Sequence, residues 1–491
     1  MSGGKDLKNG NRNPVMKIIR IVGTIKTFFA RLLLTVLIAG GTPARAQNAD
    51  TNLASLLLSK PLSLADALDV ALQHNGTILK GKHDLEAQYG VVVQTRAIAI
   101  PHVTANGNYQ HTTEVEAVPI PNIPAGAFGP NSPAIPGVAP IYDSWAANVQ
   151  VTQTIYQGGQ VLSSLRAARL TKDQALLDYQ TVIADNLLAV RVAYYDVLLA
   201  AEQIVVNEAS VKLLTQQRDD QKRRFDAGTV PRFNVLQAEV ELANERPKLI
   251  QAQNNYRISK NNLVNTLGYH VPRNIQEDIP LQLTDKLDAE PYKIEMSVAV
   301  GKALENRSEL ASLRKQELLR KEGVTSAQSN YKPTLQLFGG YGARNAQFIS
   351  DDPGYTIHGA TAGAQVTWNI FDGLMTKGKA EQARALHEGS KVDVDNEERS
   401  IELEVRTDYS NFIEASETLE SQKKVQEEAE EALRLAKARA DAGTGTQLDV
   451  LSAQTSLTQA RSTQVQALHD YDVARARLER AMGINIMQTM K

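Results

Sequence analysis

Few residues in this chain are arranged for covalent chemistry. Gly373-Leu-Met-Thr-Lys-Gly378-Lys379 is spaced like a phosphate-binding loop, in which backbone amides and a lysine cradle a nucleotide. Ala380 stands where a Ser or Thr would hold magnesium, and the matching stretch Gly158-Gly159-Gln160 carries no lysine, so nucleotide binding is not expected. The eight His are scattered, with no His-Glu-x-x-His and no metal spacing. There is no Cys, which excludes disulfides, thiolate metal sites and a Cys nucleophile. No nucleophile, base and orienting group stand out. The reading is therefore no enzyme, no cofactor and no metal. A net charge of −2 leaves no basic surplus for nucleic acid.

The polar residues that do recur sit at turns. Phe225-Asp-Ala-Gly-Thr-Val-Pro-Arg-Phe-Asn-Val-Leu-Gln-Ala-Glu239 returns in register as Ala440-Asp-Ala-Gly-Thr-Gly-Thr-Gln-Leu-Asp-Val-Leu-Ser-Ala-Gln454. Asp226 and Asp441 each stand two residues before a turn glycine, Gly228 or Gly443. Those glycines supply the left-handed residue that closes a helix, and Pro231 suits the first turn of the next one. Each copy is therefore the tip of a helical hairpin. The two aspartates either line a mouth at that tip or are simply solvated helix ends.

The elements carrying these tips are long. From Gln160 to Phe225 there is neither Pro nor Gly, which predicts a helix of roughly 100 Å. The return repeats every seven residues, at Val235, Leu242, Leu249, Tyr256 and Leu263, as a coiled-coil seam does. It covers only about 60 Å, so a shorter helix over 76–100 is expected to stack on it and make up the length. The second return seam is Val450, Leu457, Gln464, Tyr471 and Leu478, with Ala453, Ala460, Ala467, Ala474 and Ala481 three residues on from each.

Ahead of each long helix the period changes to two. Val103, Ala105, Gly107, Tyr109, His111 and Thr113 share one parity, opposite Thr104, Asn106, Asn108, Gln110 and Thr112. Trp145, Ala147, Val149 and Val151 alternate with Asn148, Gln150 and Thr152 in the same way. Between these strands, 118–140 carries seven Pro and reads as a loop. Strands of about ten residues with one apolar face have the length of tilted membrane strands. Tyr109, Trp145, Tyr341 and Trp368, all on the apolar parity, suit an aromatic girdle facing outer-membrane lipid.

The whole programme occurs twice. Val151 to Gly268 matches Val366 to Gly483 at a constant offset of 215, and the segment before it matches at 232. The expected organisation is an N-terminal extension and cleaved signal peptide over 1–46, with mature start near Gln47, and a leader over 47–62. A first repeat follows over 63–268, with β-hairpin 102–156 and helical hairpin 160–267. Then come a linker over 269–296, a second repeat over 297–483 with hairpins 334–371 and 374–482, and a tail over 484–491. Four strands cannot close a barrel, and an open edge in lipid leaves backbone groups unsatisfied. Either several copies share one barrel or the strands lie outside a membrane.

The tandem halves, the Tyr331-Lys-Pro-Thr-Leu-Gln-Leu337 lead into a strand, and the Gly-Thr…Asp-Val-Leu-Ser-Ala tip from Gly443 resemble the TolC family of outer-membrane channel proteins, over about residues 60–484. The resemblance implies an α+β membrane protein. It would be a homotrimer whose four strands per chain make a twelve-stranded barrel on a long periplasmic α-helical barrel. It implies the passive exit duct of a tripartite efflux pump or type I secretion system. Opening would follow untwisting of the tip coils when a periplasmic adaptor and an inner-membrane RND, ABC or MFS transporter dock. Asp226, Gly228, Thr229, Asp441, Gly443 and Thr444 would form the docking tip. The family's acidic entrance ring falls at Asp449. Three such carboxylates around an axis would select cations and carry raised pKa values. The second acid of that ring falls at Ser452, a nearby first-repeat Asp at Asn234, and a tip Arg at Gly445, which departs from the family's closing network. The alternative is an exported coiled-coil structural or adhesive protein, which explains the helices but not the duplicated strand pairs.

Overall fold

The computed structural model describes residues 61–113, 121–135, 143–270, 278–345 and 356–484. The expected signal peptide, the leader to residue 60 and the C-terminal tail beyond Ile484 lie outside the described residues. The first repeat runs α1 (Leu64–His74), α2 (Gly76–Arg96), β1 (His102–His111), β2 (Asp143–Gln157), α3 (Gln160–Asp226) and α4 (Arg232–Leu267). The second runs α5 (Met296–Asn306), α6 (Ser308–Gln328), β3 (Thr334–Asn345), β4 (Thr356–Thr367), α7 (Met375–Asp441) and α8 (Gln447–Ala481).

The two 67-residue helices, α3 and α7, span roughly 100 Å. Each ends in a Schellman turn. At the first tip Thr229 N–H donates to Arg224 O at 2.9 Å and Gly228 N–H to Phe225 O at 2.8 Å. At the second, Thr444 and Gly443 bond Arg439 O and Ala440 O in the same way. Gly228 and Gly443 have φ of +75° and +72°, a region that disfavours a β-carbon. Pro231 caps α4 rather than opening its first turn. Pro247 lies inside α4, where it takes away the amide that would have bonded Ala243 O, and the helix continues past it.

The short helices do complete the returns, through built joints. Asn75 Oδ1 accepts from Thr77 N and Ile78 N, capping α2. Its Nδ2 donates to Thr266 O at 2.7 Å, capping the end of α4. One buried side chain thus holds two helices end to end. Gly268 sits so close that a β-carbon would lie 2.2 Å from His74 O. In the second repeat Arg307 stands at this place and caps neither helix with its side chain; it is buried against Glu309 and Glu404, and Gly483 again leaves no room for a β-carbon beside the Asn306–Arg307 backbone. The composite of α8 and α6 packs on both long helices, α3 and α7, whereas that of α4 and α2 packs on α3.

The core lies along α8, where Ile401, Val405 and Phe412 of α7 meet Tyr471, Leu478 and Ala481. Full burial of such a Leu or Ile stabilises by roughly 1.5–3 kcal/mol. The stretch read as a linker is packed where it is described. Leu62 pairs with Leu283, Tyr194 OH donates to Leu62 O and Asp285, Lys260 bonds Asp278 and Ile279 O, and Tyr471 OH donates to Glu290 O.

The strands form one antiparallel sheet in the order β1-β2-β3-β4. Register keeps each parity on one face as far as a bulge between Thr154 and Tyr156 at the helix-side end of β2. Ala105 faces Val149, which faces Tyr341, which faces Ala360. Next to them, Thr104 faces Gln150, Gly340 and Thr361. Trp368 falls one residue beyond β4, so it belongs to the strand's exit rather than to the strand.

Asn75→Ala removes the cap of α2 and leaves Thr266 O without its donor. It is expected to cost about 1–2 kcal/mol, read as a lowered midpoint in thermal circular dichroism, while Lys80→Ala on the exposed face of α2 leaves the midpoint in place.

Candidate functional site

The tip is built from helix ends. Asp226, Gly228, Thr229, Asp441, Gly443 and Thr444 are all exposed there. Thr229 and Thr444 hydroxyls donate to Arg224 O and Arg439 O, reinforcing both turns. Arg224 Nη2 reaches Asp441 Oδ1 at 3.2 Å, so one hairpin tip is ion-paired to the other. Asp226 stands at the equivalent place without such a pair among the described residues.

Asp449 is exposed in the first turn of α8 and forms a capping box with Thr446. Its Oδ2 accepts from Thr446 N and Thr446 Oγ1, both at 2.8 Å. These bonds, with the Arg439 guanidinium nearby, hold its carboxyl below the usual range. Within one chain the shift therefore runs opposite to the rise expected of clustered carboxylates, because the capping bonds favour the charged form. Ser452 is exposed one turn further along α8, and Asn234 is half-buried in the first turn of α4. No hydrogen bond joins Asn234 to Asp449 among the described residues. Gly445 has no room for a larger residue: a β-carbon would meet Arg439 Cβ at 3.0 Å, and its amide donates to Arg439 O.

At the other end, Tyr109 and Trp145 are register partners on the apolar face, while Tyr341 pairs with Val149, four residues further toward the helices. Trp368 lies at the opposite, helix-side end, where its Nε1 donates to Tyr331 O at 3.1 Å. All four are exposed, and beside Trp368 so are Tyr156, Tyr331, Ile370 and Phe371. The aromatics thus form two bands, not one. From Trp145 to Gln157 the strand covers roughly 40 Å, or roughly 28 Å when tilted by about 45°, which matches a bilayer's hydrocarbon core. No helix among the described residues is long and apolar enough to cross a membrane.

The phosphate-loop look-alike is closed by its own chain. Asp372 Oδ2 accepts from Thr376 N at 2.9 Å and from Thr376 Oγ1, so a carboxylate fills the helix N-terminus where a phosphate would sit. Among the described residues no group of His, Asp and Glu is placed to hold a metal.

Residues 67–269 and 299–484 match the outer membrane efflux protein family. The chain belongs to this family. It is similar to outer membrane protein TolC of Escherichia coli (strain K12), at 24% identity over 87% of this chain and 83% of that protein. It is also similar to alkaline protease secretion protein AprF of Pseudomonas aeruginosa, at 23% identity over 70% of each. Among solved structures, the Vibrio cholerae outer membrane protein VceC superposes with a TM-score of 0.68 at 18% identity, covering 86% of this chain and 96% of that one. The Campylobacter jejuni channel CmeC gives 0.69 at 15%, covering 86% and 85%. The protein is an outer-membrane exit duct of the efflux or type I secretion kind, and the reading as a structural or adhesive coiled coil is not favoured.

The sequence reading missed two parts of this efflux-family site. Arg224 and Arg439, duplicated at the repeat offset, were the signal for the tip pairing. The second is a buried polar cluster between α3 and α8. Arg191 pairs with Glu479 at 2.7 Å, Arg475 Nε meets Glu479 at 3.0 Å, and His469 lies between Asp196 and Asp470. Burial pushes the Asp472 carboxyl there up to about 7, against the pull of Arg475, His469 and Arg191. A free aspartate titrates near 4. The folded state therefore binds a proton that the unfolded chain has lost, and stability falls as pH rises from about 4 to about 7. Asp472→Asn is expected to remove that fall, gaining roughly 1–3 kcal/mol at pH 8 and little at pH 4, measured by denaturant unfolding across that range.

Proposed function

We propose that three copies of this chain close one twelve-stranded barrel and extend a helical duct into the periplasm, ending in six hairpin tips. The observation that carries this is the sheet. It has one apolar face, aromatic bands a bilayer apart, and two outer edges, on β1 and β4, with no partner strand among the described residues. Such edges are untenable in lipid until other strands pair with them.

At the tips, Asp449 lines the constriction and supplies one carboxylate per chain, selecting cations. Ser452 takes no charge there, so the ring is a single layer. Asp226, Gly228, Thr229, Asp441, Gly443 and Thr444 form the surface on which a periplasmic adaptor and an inner-membrane RND, ABC or MFS transporter open the duct by untwisting the tip coils. The Arg224–Asp441 pair is the strut such untwisting would break, and at an exposed site it is worth about 0.2–1 kcal/mol. Cargo selection lies in the transporter.

Asp449→Asn is expected to raise single-channel conductance in planar bilayers and to weaken block by divalent cations, with trimeric, heat-modifiable migration unchanged. Unaltered conductance together with unaltered block would remove Asp449 from the gate. A soluble periplasmic monomer would sink the assembly itself.

A further inference from the structure

The sheet carries almost no charge. In its four strands, Asp143 and Arg344 are the only Asp, Glu, Lys or Arg. They stand on opposite faces. Asp143 pairs in register with His111, on the parity of Trp145 and Tyr109, and its Oδ1 accepts from Tyr109 OH at 2.6 Å. Arg344 pairs with Ala146 and Ile357, on the parity of Gln150, Gly340 and Thr361. That is the polar face, and Arg344 is the one full charge on it among the strand residues.

The neighbours of Arg344 offer its side chain nothing to bond. Ala146 and Ile357 flank it across the strands, and Gly342 precedes it on the same face. It is exposed, and its guanidinium has no ion pair or hydrogen bond among the described residues. Gly340, Gly342, Gly359 and Gly363 keep this part of the face low. A groove of about 540 Å³ lies over β2, β3 and β4, with Asn148, Gln150, Phe338 and Arg344 of the polar face in its lining. Side-chain amides beside one free guanidinium suit a carboxylate, which the guanidinium binds through two parallel hydrogen bonds.

The place of Arg344 along the strand matters as much as its face. β3 leaves the helices at Thr334 and ends at Asn345. From Thr334 to Arg344 the strand covers roughly 34 Å, or roughly 24 Å when tilted by about 45°. Arg344 therefore stands at the end of the sheet far from the helices. In a barrel whose apolar face meets lipid, the polar face lines the lumen.

We propose that Arg344 makes the outer mouth of the duct an anion-binding ring, in which three guanidinium groups, one per chain, hold small multivalent carboxylates such as citrate in the lumen. This rests on the trimeric duct proposed above, but not on the Asp449 gate. The long helices put roughly 100 Å between the sheet and the tips. That is more than ten times the Debye length of about 8 Å in physiological salt, so the two ends act on ions independently. A ring of fixed positive charge concentrates anions at its own mouth. With carboxylates at the tips, the duct then carries opposite charge at its two ends, and its current depends on the sign of the voltage.

Planar-bilayer recording tests this, with citrate added to either side of channels inserted barrel first. The native channel is expected to be blocked at lower citrate concentration from its outer mouth than from its tips. Arg344→Gln is expected to raise the outer half-blocking concentration by roughly tenfold, because each lost charge contact weakens binding several-fold. It is also expected to move the reversal potential in a KCl gradient toward that of potassium. Arg344→Lys is expected to keep most of the block. The chain has no Cys, so Arg344→Cys can be modified in a channel already inserted. A cationic methanethiosulfonate is expected to restore the block there, and an anionic one is not. If trimeric channels conduct but Arg344→Gln leaves block and reversal potential unchanged, the anion site is wrong and the duct stands. If the native chain is monomeric in detergent and forms no channels, the duct reading and the anion site both fall.

Discussion

Inside a bilayer a backbone amide has no water to bond, and everything else in this protein answers to that fact. The chain builds four strands with one apolar face, which is enough to enter lipid and too little to stay there alone. Closure has to come from further strands, and identical chains are the economical source. Assembly then places identical helical hairpins side by side, and their faces must fit each other as well as themselves. The long helices are in this sense a consequence of the barrel: whatever the strands enclose, the helices continue.

Continuing it requires equal lengths, and the chain meets this without a second 67-residue helix in each repeat. A 36-residue return is lengthened by a 21-residue helix set on its end. The joint is made by Asn75, whose acceptor caps one helix and whose donor caps the other. An amide suits this, because the start of one helix offers N–H groups and the end of the other offers carbonyls. Where the second repeat uses Arg307, the joint is anchored to acidic neighbours instead.

Periodicity and duplication made most of this frame legible in the sequence. The tip glycines, the strand parities and the long helices are local properties, and register carries the parities across the four strands as far as the bulge at Thr154–Tyr156. What stayed hidden was tertiary. The packed linker depends on Tyr194 and Tyr471, whose hydroxyls find partners distant in sequence. The helix-side aromatic band was missed because Ile370 and Phe371 follow the strand rather than alternate within it. Asp449 was singled out through its family position, but its capping bond to Thr446 and its closeness to Arg439 belong to the folded tip. Pro247 would ordinarily argue against an unbroken helix, and only the fold shows it accommodated.

The position of α8 has a consequence for how the protein is made. It is the last helix of the described chain, yet it has the largest share of buried residues, filling the centre of the frame between α3 and α7. A chain emerging from its N-terminus presents both strand pairs and both long helices before this central helix arrives. The order of the helices along the chain thus leaves the centre of the frame to be filled last.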